Sequence, residues 1–463
     1  MGRQILNLVR ARQDKSPHLN LRRRDKKKER GEQISNRVKK TYKYRLYPTE
    51  SQKEILEKWL SLCRWLYNYF LEERRTFYEK NRKKVSCFEQ INKIPELKKE
   101  KSELRKIHSQ TLQDVVRRLD KTFQNFFRRV KENKAGKKQK LGYPRFKGYQ
   151  RYDSFVYPQS GFELKGNRLN LSKLGSLKIK FHREIEGTIK TLTVRRTRTH
   201  KWFACFSVEN KKKLAEKKEI KNALGIDVGL NNFLTTNRGE KIENPRCFRK
   251  SEEKLAKIQR WHSRKKLKSK NRNRSRLEVA RLHERITNQR LDFLHKLSHK
   301  LVKNFQLIAF EKLNIKGMVK NRYLAKSIVD ASWNKFLQML NYKAAEAGSW
   351  AIGVNSKNTT QVCSGCQKIV SKTLASRKHK CLNCGLFIDR DINAARNILQ
   401  LALRSPALNL RAGLGGATLT TVGTTGINPF DKLRIDPERS RRVNAWGVER
   451  LLSTLKQEAT DFN

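Results

Sequence analysis

Four cysteines near the C-terminal end, Cys363, Cys366, Cys381 and Cys384, form two Cys-x-x-Cys pairs separated by residues 367–380. One such turn aims two thiolates at one ion, and two complete a tetrahedral Zn2+ site. A redox pair would need no second copy, and a closed four-thiolate site has no open position. The spacing therefore predicts one structural zinc that holds a loop and does not catalyse. His379 lies in the same segment and could replace one ligand; with four cysteines present it is expected at solvent or nucleic acid.

Three acids supply the second candidate chemistry. Asp227 sits inside the apolar run GIDVG, Glu311 ends the apolar run LIAFE, and Asp391, with Asp389 just before it, opens a helix-like segment. A carboxylate in an apolar strand is costly without a cation or hydrogen bonds, whereas an Asp at a helix start is ordinarily a cap. Taken singly, each acid has an ordinary structural explanation. Converging from strand centre, strand end and helix start, they are what two Mg2+ ions about 4 Å apart require to activate water and stabilise the leaving oxygen of a phosphodiester.

The elements that must position these residues follow from periodicity. ALGIDVGLNNFLTTNRG reads as two strands joined by a turn, FQLIAFEKLNI as a buried strand, ASWNKFLQMLNYKAAEAG as a helix closed by Gly348, and SWAIGVNS as another strand. Residues 250–304 read as a long charged helical stretch broken around LKSKNRNRS. Alternating strands and helices indicate an α/β domain. Upstream, TYKYRLYPTESQ alternates like a strand and then offers a capping box, Thr49 with Gln52. Two amphipathic helices follow, the second over about 109–132 with Val115, Val116, Leu119, Phe123, Phe126 and Phe127 as its core face. After a basic, aromatic loop over 136–157, the runs LKIKFH, IKTLTVRR and WFACFSVE predict a small β-barrel, with the helical segment 49–133 inserted after its first strand.

Composition bounds the partners. The chain has 463 residues and carries 107 Lys and Arg against 43 Asp and Glu, a formal charge of +64 spread along its length. That is the footprint of a protein lying along many phosphates. No run reaches the ~18 apolar residues of a membrane helix, and the N-terminus lacks the apolar core of a signal peptide. A soluble, cytoplasmic protein that meets nucleic acid and no membrane is expected. Residues 1–40, with runs such as RRRDKKKER, cannot build a core and read as a basic flexible arm.

At this point the motifs become recognisable as a set. GIDVGLNNF, AFEKLNIKGM, SWNKFLQMLNYKAAEAG, the two Cys-x-x-Cys pairs and DRDINAARNI, in that order, closely resemble the RuvC-like nuclease domain of TnpB proteins, transposon-encoded RNA-guided DNA endonucleases related to type V CRISPR effectors. YKYRLYPTESQ, CRWLYNYFLE and GYPRFKGY are similar to that family's β-barrel and helical recognition region. The resemblance covers roughly residues 41–400.

It implies an α+β multidomain fold: a β-barrel wedge domain (41–48 with 134–215), an inserted helical recognition domain (49–133), an RNase H-like (RuvC) α/β nuclease domain (216–360 with 386–402), a four-cysteine zinc-finger insert (361–385) and a variable tail (403–463). It further implies a catalytic, Mg2+-holding triad of Asp227, Glu311 and Asp391. Asp391 is preferred to Asp389 because the family's third acid is the one in DxNAA, here Asp391-Ile392-Asn393-Ala394-Ala395. Two departures stand out, Gln367 where Gly is frequent and Lys312 where Asp is frequent, and neither removes a ligand. The implied partners are a guide RNA from the transposon end and double-stranded target DNA beside a short flanking motif, with one protein per RNA and base pairing reading the target. A compact CRISPR effector and a cleavage-inactive guided repressor are the alternatives, the second disfavoured by the intact acids. Arg64, Tyr67 and Asn68 could face DNA or could pack.

Overall fold

The computed structural model describes residues 38–409, apart from 138, 150, 211–214, 356–357 and 374–375. The basic arm up to residue 37 and the tail from 410 onward lie outside the described residues.

Strand β1 (Val38–Tyr47) buries Tyr42, Tyr44 and Leu46 on one face, the period of two that the sequence shows. Pro48 and Thr49 end it, and Thr49 starts α1 (Glu50–Asn81) with a complete capping box, its hydroxyl accepting from Gln52 N at 3.3 Å and its own N–H donating to Gln52 Oε1 at 3.1 Å. Two short helices, α2 (Cys87–Asn92) and α3 (Ile94–Glu100), lead to α4 (Ser109–Lys134). The chain then returns to the sheet as β2 (Ser154–Tyr157), β3 (Phe162–Lys165), β4 (Arg168–Leu171), β5 (Gly175–Lys180), β6 (Thr188–Arg196) and β7 (Trp202–Asn210). All pairings are antiparallel, in the order β2-β6-β7-β1-β5-β4-β3. The two edge strands are consecutive in sequence, and Tyr157 meets Phe162 with ring centroids 6.4 Å apart, so the sheet curls into a nearly closed barrel. Trp59 on α1 packs on Phe155 of β2 at 5.7 Å, and one continuous core runs through helices and barrel.

One expectation needs correction here, and one open choice is resolved. Phe127 is 46% exposed and Phe126 only half-buried: Phe126 packs edge-on against Phe127 and against Tyr143, an exposed residue of the loop after α4. Tyr67 and Asn68 are packing residues: Tyr67 is 2% exposed, and the Asn68 side chain clasps the main chain of Lys147, donating to its carbonyl at 3.1 Å and accepting its N–H at 2.8 Å.

The second half builds a five-stranded sheet, β10-β9-β8-β11-β12, from β8 (Ala223–Val228), β9 (Asn232–Thr236), β10 (Lys241–Glu243), β11 (Leu307–Glu311) and β12 (Trp350–Val354). The first three are antiparallel, and β8, β11 and β12 are parallel. Every residue of β11 is buried, as expected of a central strand covered on both faces. Helices α5 (Glu252–Ser263) and α6 (Lys270–Asn304) meet at the anticipated break, with Ser269 accepting from Arg272 N at 3.1 Å. After β11 come α7 (Ile315–Met318), α8 (Arg322–Ala331) and α9 (Trp333–Ala347), the last closed by Gly348 in the left-handed region at φ 71°. Phe233 of β9 packs edge-on against Phe293 of α6 at 5.0 Å and Phe336 of α9 at 5.1 Å, fixing the core on that side. No helix among the described residues is long and apolar enough to cross a membrane.

A hairpin of β13 (Lys378–Lys380) and β14 (Phe387–Asp389) runs directly into α10 (Arg390–Leu403), which lies across β8. The close approach depends on Gly225: a Cβ there would collide with the Ala395 carbonyl and come within 2.8 Å of Leu399 Cβ. Gly225→Ala must therefore push α10 off the sheet. The expected cost is about 3 kcal/mol, read as a lowered thermal midpoint. Beyond Leu403, the described residues form one short helix, α11 (Pro406–Asn409).

Candidate active site

The topology brings the three predicted acids to one place. Strands β8 and β11 pair in parallel with Ile226 opposite Phe310, so Asp227 and Glu311 are level on neighbouring strands and face the same side. Gly225, two residues before Asp227 and on its face, is the point where α10 crosses at Ala395. Asp391 lies one turn before Ala395, about 6 Å along the helix, close to the advance of two residues along a strand. Asp391 is thereby carried over Asp227.

Electrostatics register that convergence. Burial first, and then the neighbouring carboxylates of Glu311 and Asp391, raise Asp227 well above the ordinary carboxylate range, against the opposing pull of Arg390. Burial also raises Glu311, which is 8% exposed, while a hydrogen bond from the Thr359 hydroxyl opposes the rise. A cation would relieve these repulsions, so the donor set fits divalent metal. Among the described residues, only the four cysteines bring ligand atoms all within 4.8 Å of one another. Asp227, Glu311 and Asp391 are not drawn together that tightly.

Asp389 and Asp391 have separate tasks. Asp389 accepts the backbone N–H of Asp391 at 2.9 Å and pairs with Lys241 at 2.7 Å; against the burial that pushes it up, these contacts bring its carboxyl below the usual value. It is the cap of α10. Asp391 sits in the first helical turn, with Arg390 Nε 3.6 Å from its carboxylate.

The four cysteine sulfurs cluster as the spacing predicts, with Cys363 to Cys384 and Cys366 to Cys381 each at 3.6 Å. A disulfide would need about 2.05 Å, whereas a tetrahedron with Zn–S of about 2.3 Å has edges near 3.8 Å. The knuckle geometry fits zinc. The backbone N–H of Lys368 helps draw the Cys366 thiol down to about 6, toward the thiolate a metal binds. Gln367 adopts the left-handed conformation at φ 64° that Gly would take there, and its side-chain amide donates to Cys363 O at 3.2 Å and Gln400 Oε1 at 2.8 Å.

His379 departs from expectation. It is fully buried, paired with Lys372, and kept from protonating by that burial and the neighbouring ammonium, so it faces neither solvent nor nucleic acid. The sequence reading also overlooked Asn393 and Asn397, which bind the loop leading into the first knuckle. Their signal was present: two amides four residues apart, flanked by Ala394, Ala395 and Ile398, share one face of the helix.

Comparison with known proteins agrees with the order of motifs. A family model described as "Probable transposase" matches residues 204–322, one described as "Cas12f1-like, TNB domain" matches 333–398, and one described as "Helix-turn-helix domain" matches 36–83. The described part of that last segment folds as β1 and the 32-residue helix α1. The chain is 35% identical over 381 residues to a "Putative RNA-guided DNA endonuclease" of Streptomyces pristinaespiralis, covering 81% of this chain and 92% of that one. It is 28% identical over 377 residues to the "Putative RNA-guided DNA endonuclease InsQ" of Escherichia coli K12, covering 77% and 91%. Among solved structures, a Cas12f1-sgRNA-target DNA complex aligns over 78% of this chain and 99% of that chain at 16% identity and a TM-score of 0.30.

Proposed function

Because the chain belongs to the TnpB family, we propose that it is an RNA-guided DNA endonuclease that binds a guide RNA, opens double-stranded DNA beside a short flanking motif, and hydrolyses phosphodiesters at Asp227, Glu311 and Asp391 with Mg2+. The observation that carries the chemistry is the convergence of Asp227, Glu311 and Asp391 in a half-buried site where the C-terminal ends of two central strands meet the start of α10.

The chain's own residues divide the work. Glu311 and Asp227 offer carboxylate oxygens from rigid neighbouring strands, and Asp391 offers its own from the helix that Gly225 admits onto the sheet. Bound there, Mg2+ would supply an activated water and stabilise the leaving oxygen. Lys241 keeps Asp389 engaged as a cap, which leaves Asp391 the acid available to a cation. Cys363, Cys366, Cys381 and Cys384 hold one structural zinc, which ties the hairpin before α10 to the loop after β12.

The barrel with its helical insertion, and the excess of 107 basic over 43 acidic residues, suit a long RNA and a guide–target duplex gripped through its phosphates. The partition into wedge, recognition, nuclease and zinc-insert domains follows from that use. The test is to express the protein with its flanking DNA, sequence the RNA that copurifies, and challenge the complex with Mg2+ and a plasmid library bearing the matched target beside randomised bases. Cleavage confined to matched plasmids with one flanking motif is expected. Bound RNA and retained matched DNA without cleavage would favour a guided repressor.

A further inference from the structure

Thr359 follows β12 in a turn and is 3% exposed, and its hydroxyl donates to Oε1 of Glu311. Its carbonyl is held in turn by α10, the helix of Asp391: Asn397 Nδ2 donates to Thr359 O at 2.8 Å and to Val362 O at 2.6 Å. One turn earlier, Asn393 donates to Val362 O at 2.8 Å and accepts the N–H of Ser364 at 2.9 Å. One turn later, Gln400 donates to Ser364 O at 3.3 Å. Ser364 stands inside the first Cys-x-x-Cys turn. A single stripe of α10, at positions i, i+4 and i+7, therefore clamps the loop that carries both Thr359 and the first pair of thiolates.

We propose that Thr359 is a positioning residue for the nuclease: its hydroxyl fixes one carboxylate oxygen of Glu311, and the Asn393–Asn397 clamp fixes Thr359 against the catalytic helix. This rests on the reading of Glu311 as a metal ligand. A carboxylate already held in one orientation is not ordered anew when a cation arrives, and such supporting bonds tune affinity as much as the ligands do. The clamp also spans both ends of the site. Glu311 is reached through Thr359 and Asp391 through the helix itself, so the two ligands are set relative to each other by one hydrogen-bonded unit. A buried Glu needing any donor would be served equally by a donor on its own strand. Here the donor comes from the segment between β12 and the zinc knuckle, whose place is fixed by α10.

The test uses Thr359→Val, which removes the hydroxyl and keeps the shape, and Thr359→Ser, which keeps the hydroxyl. Guided cleavage by the full RNA complex is followed against Mg2+ concentration, and Mn2+ binding to the full-length, zinc-loaded protein is titrated by electron paramagnetic resonance. Zinc content and RNA affinity serve as controls for folding. Thr359→Val is expected to need about 10- to 100-fold more Mg2+ for half-maximal cleavage, with Mn2+ affinity weakened by a matching factor. Its rate should recover at saturating metal, and Thr359→Ser should behave as the wild type. Unchanged Mg2+ dependence and Mn2+ affinity in Thr359→Val would overturn the proposal, as would a serine variant as impaired as the valine one. Glu311→Gln run in parallel separates the two levels. If it still cuts, the reading of the site itself fails; if it is inactive while Thr359→Val is normal, only the role of Thr359 falls.

Discussion

Asp227→Asn should bind guide RNA as tightly as the wild type and cut matched DNA at least ~10³-fold more slowly, the loss of about 4 kcal/mol that removing one metal-binding carboxylate implies. The same change should make the magnesium-free protein more stable at neutral pH. Burial, and then Glu311 and Asp391, raise the folded-state pKa of Asp227 well above the 3.8 it has when free. In the window between those values the folded chain holds more protons than the unfolded one, so stability falls as pH rises through it. The wild type bears a cost that grows as pH rises through that window unless a cation offsets it. Thermal midpoints measured across pH with and without Mg2+ should therefore show a wild type that weakens toward neutrality and is rescued by Mg2+. The Asn variant should be flatter in pH and less responsive to the ion. Loss of RNA binding together with cutting would instead make Asp227 a residue of the fold.

Asp227 and Glu311 were legible because an acid in an apolar strand is conspicuous, and the cysteines because their double spacing rarely has another use. That the acids meet was not legible from any of them alone. It depends on the register of β8 with β11 and on a glycine, Gly225, whose importance is the absence of a side chain beneath Ala395. The resemblance favoured Asp391 over Asp389, but what occupies Asp389 was hidden for a similar reason: its partner is Lys241, on an edge strand far away in sequence. Thr359 carries no pattern at all in NTTQV, since a single hydroxyl in a turn looks the same whether it meets solvent or a carboxylate. His379 and Phe127 were misjudged in the other direction. With four cysteines enough for the metal, His379 was expected at solvent or nucleic acid, whereas it is buried; Phe127 was assigned to the core but is exposed; and Tyr67, left open between DNA and packing, packs.

Cys381→Ser should release the zinc and abolish cleavage while leaving RNA binding intact, a separation that follows from how the two halves are built. Cys381 is 1% exposed, its sulfur lies 3.6 Å from that of Cys366, and its N–H donates to Leu386 O at 2.9 Å, so the substitution alters a ligand and little else. A serine hydroxyl does not ionise near neutrality as a thiol does. If the ~10–16 kcal/mol of a structural zinc is shared over four thiolates, losing one weakens binding by roughly 3 kcal/mol, more than 100-fold. Without the ion, the turn around Ser364 is no longer held, and Asn393, Asn397 and Gln400 lose the loop they clamp. The β13–β14 hairpin is freed at the same time, and its last residue is Asp389, the cap of α10. Both attachments that orient Asp391 therefore fail together. The barrel and α1–α4 share a separate core and contain none of these residues, so that half, to which the proposed function assigns the grip on RNA, has no reason to change. Metal analysis by mass spectrometry, limited proteolysis between β12 and α10, and RNA affinity measure the three parts. One zinc retained per chain would remove Cys381 from the ligand set, and zinc lost with cleavage undiminished would show that α10 holds Asp391 without help from the knuckle.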